Sequence, residues 1–134
     1  MKYLLIDSNV IIRRLRGAID DRTWIGLLSG RAPVISPVTL HEIRRGIRPG
    51  SRWEVSMDQY PAPVVDAPTE SDWVIAADLI RKHFWNTHKG QNLARLQNDA
   101  LIATTAKRLG AELWSRDGDM RVFCVELGVR LFVD

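Results

Sequence analysis

The chain has 134 residues, 46% of them hydrophobic and 26% charged, which suits one globular domain with a buried core, residues 1–134, and excludes a disordered or low-complexity tract. A net charge of +3 is mildly basic, so a polyanionic partner is admissible but not required. The lone cysteine, Cys124, excludes an internal disulfide and a cysteine zinc cluster, and points to a reducing, cytoplasmic setting.

The opening Met1-Lys2-Tyr3-Leu4-Leu5-Ile6 begins like a signal peptide, but Asp7 interrupts it before a usable apolar region forms. No later stretch approaches the roughly 20 apolar residues of a membrane span, and a soluble protein is expected. Tyr3 to Ile6 reads instead as a strand buried on both faces of a parallel sheet. Val10, Ile11, Ile12 and Leu15 then recur at helical spacing, closed by Gly17. A second helix is predicted from Asp20 to Leu28 and a strand from Pro33 to Ser36. Ser36-Pro37, an N-cap and first-turn proline, starts a helix to about Arg48.

Between Pro49 and Pro68 the prolines Pro49, Pro61, Pro63 and Pro68 mark a linker, with one short helix near Trp53 to Gln59 and an extended piece at Val64-Val65. Thr69 and Asp72 form a capping-box pattern, and Trp73, Ala77, Ile80 and Phe84 make the apolar stripe of a long helix. Another helix opens near Asn98-Asp99 and ends at Gly110. Strands at Glu112–Trp114 and Leu131–Val133 flank a helix from Asp119 to Leu127. Strands alternating with helices predict an α/β fold, a three-layer α/β/α arrangement with a central, mostly parallel sheet.

In such sheets the ligand crevice lies beyond the carboxyl ends of the strands, where strand order reverses. Asp7 and Asp117 each follow a predicted strand and so point to that edge. Asp99 falls in the first turn of its predicted helix, where the dipole favours an anion. Glu42 lies outside the buried face formed by Leu40, Ile43 and Ile47, with Arg45 beside it and Gly46 a turn later. That glycine costs about 1 kcal/mol against alanine, and space beside a carboxylate is one reason for it. Each acid also has an ordinary explanation: Asp7 as an N-cap, Asp99 as a dipole partner, Glu42 as a solvated residue, Asp117-Gly118-Asp119 as a turn. It is their joint placement that points to a site. Carboxylates sharing a pocket repel one another unless a cation is bound, and hard oxygen ligands select Mg2+ or Mn2+. A divalent ion held there suits phosphodiester hydrolysis.

Together, Asp7-Ser8-Asn9, the Ser36-Pro37-Val38-Thr39-Leu40-His41-Glu42 run, Asn98-Asp99-Ala100-Leu101-Ile102-Ala103 and Ser115-Arg116-Asp117-Gly118-Asp119 resemble the PIN-domain ribonucleases, and within them the VapC-type toxins of toxin–antitoxin pairs. The resemblance runs nearly the whole chain. It implies a PIN-like fold and an endoribonuclease dependent on Mg2+ or Mn2+, with Asp7, Glu42, Asp99 and Asp117 as the acidic quartet and Asp7, Asp99, Asp117 and Asp119 as metal ligands. Asn9 and Ser115 match positions that steady the carboxylates. Met120 stands where the family often has an aromatic residue, and residues 49–68 match no motif. The implied partners are an RNA substrate and a cognate antitoxin protein, and a homodimer is expected.

Arginines flank two of the acids, with Arg14, Arg45 and Arg48 the candidates for RNA contact; a solvated helix face explains such runs equally well. Trp73 and Trp114 fit core positions, whereas Trp24, Trp53 and Trp85 suit core, a dimer face or a partner groove. His83 and His88 read as helix-surface residues, and His41 as a possible substrate contact. Two other functions compete with the nuclease: a PIN-fold module that binds RNA or protein without cutting it, and an aspartyl-phosphate phosphatase. The second is disfavoured because Asn9 stands where such enzymes place a second Asp.

Overall fold

The apolar run after Met1 forms strand β1 (Lys2–Ile6), in which Leu4, Leu5 and Ile6 have no solvent exposure. That burial on both faces is what a central strand of a parallel sheet requires. In this computed structural model, which describes residues 1–54, 63, 65, 67–86 and 93–134, β1 is joined by β2 (Arg31–Val34), β3 (Glu112–Trp114) and β4 (Leu131–Phe132). The strand order is β2-β1-β3-β4 and every pairing is parallel.

Six helices pack on this sheet among the described residues: α1 (Ser8–Leu15), α2 (Asp21–Leu28), α3 (Pro37–Gly46), α4 (Glu70–Phe84), α5 (Leu93–Leu109) and α6 (Gly118–Leu127). The period-2 alternation of the strands divides the core in two. Leu4, Ile6 and Trp114 meet Val10 and Ile11 of α1, Ile43 of α3 and Trp24 of α2 on one face. Leu5 and Leu113 meet α4, α5 and α6 through Ala76, Leu79, Leu101 and Phe123 on the other. The result is the predicted three-layer α/β/α arrangement.

Local chemistry sets most boundaries. Asp7, Asp20, Ser36, Thr69 and Asp117 cap the helices that follow them, each satisfying a backbone N–H left without an intrahelical partner. Gly17 and Gly128 supply the left-handed turns after α1 and α6, at φ 79° and 71°. Residue 65 lies extended beside the end of β2: Ile35 N–H donates to the Pro63 carbonyl and Val65 N–H to that of Ile35, at 3.0 and 2.9 Å. Residues 52–54 are helical, and the rest of the helix predicted near Trp53 to Gln59, with Val64 and His88, lies outside the described residues.

Four expectations need correction. Helix α5 starts at Leu93, so Asp99 sits in its second turn rather than its first; the strong helix formers Leu93, Ala94, Arg95, Leu96 and Gln97 override the capping preference of Asn98. The strand predicted at Pro33–Ser36 begins at Arg31, because it pairs with β1 from Lys2 onward. The buried face of α4 is Asp72, Ala76 and Leu79 rather than Trp73 and Ala77, and Trp73 is 48% exposed. That rotation follows from Asp72, whose carboxylate accepts from Thr69 N–H at 3.0 Å in a capping box and from Arg108 Nε of α5 at 2.9 Å. Finally, Gly46 does not make room beside Glu42. It lines an apolar groove with Ile12, Leu15, Ile43 and Ile47 on another side of α3, and a Cβ added there meets nothing within 4 Å.

Because Asp72 is buried and serves both the cap and the α4–α5 ion pair, Asp72→Ala is expected to lower stability by about 2–3 kcal/mol. Asp72→Asn keeps the cap and loses about half as much. Urea unfolding checks this: the midpoint falls with an unchanged slope, and equal midpoints for all three chains contradict it.

Candidate active site

Parallel pairing places Ile6 opposite Trp114, so the residues just past the two strands emerge side by side. Asp7 N–H donates to the Trp114 carbonyl at 3.0 Å. The chain runs from β1 to β2 on one side and reaches β3 on the other, which makes the β1–β3 boundary the point where strand order reverses. A pocket of about 340 Å³ opens there, lined by Asp7, Ser8, Asn9, Glu42, Arg45, Ala94, Arg95, Asn98, Asp99 and Asp117. Four carboxyl groups from four separate elements therefore share one wall.

A small hydrogen-bond network fixes them. Ser115 Oγ donates to Asp7 Oδ2 at 2.7 Å and accepts from Asp117 N–H at 3.0 Å, so one hydroxyl links both strand ends. Asn9 Nδ2 reaches Asp7 Oδ2 at 3.4 Å and Ser115 Oγ at 3.3 Å, while its carbonyl accepts from Arg116 N–H. Glu42 is held by Ser8 Oγ at 3.4 Å and by the Asn98 side chain. Asp117 Oδ1 accepts from Asp119 N–H at 3.1 Å, and its Oδ2 accepts from Arg95 Nε at 2.8 Å. The carboxyls of Asp99 and Asp117 are hydrogen-bonded to each other. Asp99 Oδ2 is buried with no partner.

This crowding perturbs the acids in different directions. Burial, reinforced by the charges of Glu42 and Asp117, pushes Asp7 up to about 6 against the hydrogen bonds from Ser115 and Ser8. Burial and the neighbouring Asp7 charge push Asp99 up to about 10, and its hydrogen bond with Asp117 adds to the rise. Burial likewise raises Glu42. Burial would raise Asp117 too, but the hydrogen bonds from Asp99 and Arg95 outweigh it and leave this carboxyl below the usual range.

The donor set suits a hard divalent cation: oxygens only, raised proton affinities, and one buried carboxyl oxygen left without a partner. No three of these acids stand close enough to form a ready ligand group among the described residues. The Arg95 guanidinium sits on Asp117 and supplies a positive charge there.

The other predicted residues are more scattered. Asp119 is half-buried and does not line the pocket. Of the three arginines, only Arg45 reaches its wall. Arg14 is held at the α1–α2 junction by the Ile19 carbonyl and Asp21, with its guanidinium 5.3 Å from the Trp24 ring centre. Arg48 lines the apolar groove described above. Sequence reasoning missed Ser8, Asn98 and Arg95. The signals were present: Ser8 and Asn98 adjoin Asp7 and Asp99, and Arg95 precedes Asp99 by four residues, on the same helix face.

A PIN domain family model matches residues 4–125. No curated protein matches the sequence. Among solved structures the fold is similar to that of VapBC2 from Rickettsia felis, solved bound to a DNA fragment from their promoter (15% identity, 98% of both chains, TM-score 0.70). VapBC-1 from nontypeable Haemophilus influenzae is similar as well (18% identity, 98% of this chain and 97% of that one, TM-score 0.70). So is FitAcB from Neisseria gonorrhoeae (22% identity, 96% of both chains, TM-score 0.63).

Asp7 and Asp99 bind their protons more tightly folded than unfolded. That preference is complete below about pH 4, the unfolded value, and is lost as pH rises through about 6 for Asp7 and about 10 for Asp99. In chelator, wild type is expected to lose stability between pH 5 and pH 8, and Asp99→Asn to be more stable than wild type at pH 8 by roughly 1–3 kcal/mol. Urea melts at the two pH values test this, and the same pH dependence in both chains contradicts it.

Proposed function

The chain belongs to the PIN domain family, whose members are generally nucleases, and on that premise we propose that it is an endoribonuclease dependent on Mg2+ or Mn2+, the toxin of a toxin–antitoxin pair. The observation that carries this is the convergence of Asp7, Glu42, Asp99 and Asp117 on one pocket at the carboxyl edge of the sheet. The toxin role rests on the VapC-type resemblance, with structural neighbours that are VapBC and FitAcB structures. The proposed protein partner is accordingly a cognate antitoxin.

Asp7, Asp99 and Asp117 would hold the ion, which when bound supplies charge to polarise the scissile phosphate and lowers the pKa of the attacking water. Asn9 and Ser115 hold the carboxyl of Asp7, and Ser115 ties it to the backbone of Asp117. Glu42, half-buried and with a raised proton affinity, is suited to take the proton from the attacking water. Arg45 on the pocket wall offers a guanidinium to the RNA backbone. Asp119 adds negative charge beside the site rather than a position on its wall.

A PIN-fold module that binds without cutting is the second reading, favoured by the lack of a ready three-acid ligand group among the described residues. Cleavage of single-stranded RNA separates the two. With Mn2+, wild type should cut, Asp7→Asn should fall to background, and Glu42→Gln should lose about 10²–10⁴ in rate. Chelator should abolish cutting and added Mn2+ restore it. Equal RNA loss with wild type and Asp7→Asn contradicts the nuclease assignment.

A further inference from the structure

Both oxygens of Asp117 are already committed, Oδ1 to the N–H of Asp119 and Oδ2 to Arg95 Nε at 2.8 Å. A cation approaching Oδ2 competes with the guanidinium for the charge of the same oxygen. The two partners differ sharply in exposure: the Asp117 side chain is 6% accessible and that of Arg95 is 63%. The carboxylate is therefore fixed in the pocket wall, whereas the arginine reaches it from solvent on a flexible stem. Arg95 also lies within electrostatic reach of Asp99 and Asp119, so its charge acts on the site beyond Asp117.

We propose that Arg95 is a tethered cation that competes with the divalent ion for Asp117 and, once displaced, binds a phosphate of the RNA. This rests on the metal-dependent reading given above. The release is offset, because the incoming ion replaces the guanidinium's charge beside the buried carboxylate while the exposed Arg95 head returns to water. The displaced side chain stays on the α5 wall of the pocket, one turn from Asp99, and its planar fork matches a phosphate. Metal loading and substrate capture then become one linked event, since the ion frees the group that grips the backbone. The mildly basic chain thereby keeps its acidic site in register without metal and presents a positive rim with it.

The two halves predict effects of opposite sign. By calorimetry, Arg95→Gln should bind Mn2+ about 5-fold more tightly than wild type, because Asp117 Oδ2 is no longer occupied. RNA affinity is read by fluorescence anisotropy of a single-stranded oligoribonucleotide at saturating Mn2+, with Glu42→Gln added to both chains to stop turnover. There Arg95→Gln should bind about 5-fold more weakly, with a salt slope shallower by about 0.7. Arg95→Lys should retain most of the RNA affinity. A purely structural arginine moves both affinities down together or neither. Equal or weaker Mn2+ binding by Arg95→Gln, or unchanged RNA affinity, overturns the inference alone. No Mn2+ binding by either chain overturns it together with the metal-dependent reading.

Discussion

The pairing of β1 with β3 governs everything at the site. With Ile6 opposite Trp114, the next residues of both strands leave the sheet together, and the Ser115 hydroxyl lies between Asp7 and the backbone of Asp117. A slip of one residue would turn Leu4, Ile6 and Trp114 into the wrong core layer as well as separate the two acids. The register is therefore enforced by apolar burial on both faces, and the site inherits its geometry from the core. Helices α3 and α5 then add Glu42 and Asp99 from the flanks.

This inheritance has an electrostatic cost. Asp7 and Asp99 are among the most buried polar residues of the molecule, and they sit against two further carboxyls. Burial is the main reason their affinities for a proton rise, and repulsion among the carboxyls adds to it. The Arg95 contact relieves that repulsion at Asp117. Positioned but strained groups of this kind are typical where activity is bought at the expense of stability.

Much of this was legible in the chain itself. The largely apolar runs at Tyr3–Ile6, of which Leu4 to Ile6 are buried and Tyr3 is exposed, and at Glu112–Trp114, alternating with helical periodicity, give the layered parallel sheet, and the acids that follow those runs fall at its carboxyl edge. Glu42 and Asp99 could not be placed by periodicity alone, because one turn of helical phase decides whether a residue faces a pocket or solvent. The same uncertainty hid the true face of α4, where a capping carboxylate paired with Arg108 is buried and Trp73 is left outside. Gly46 misled for a related reason: its conformational cost is visible in sequence, but the side of the helix it opens is not. Arg95 escaped notice because a single arginine in a helix has no signature until its partner is known.

The central physical claim is that the pocket holds protons which a divalent ion must replace. Calorimetric titration of Mn2+ at pH 7, repeated in buffers of different ionisation enthalpy, counts those protons directly. With Asp99 raised to about 10, roughly one proton should leave for each ion bound, and Asp99→Asn should bind more weakly and release fewer. Binding with no proton release in wild type would contradict the claim, because it would mean that the ion is held by carboxylates already ionised or by some other part of the chain.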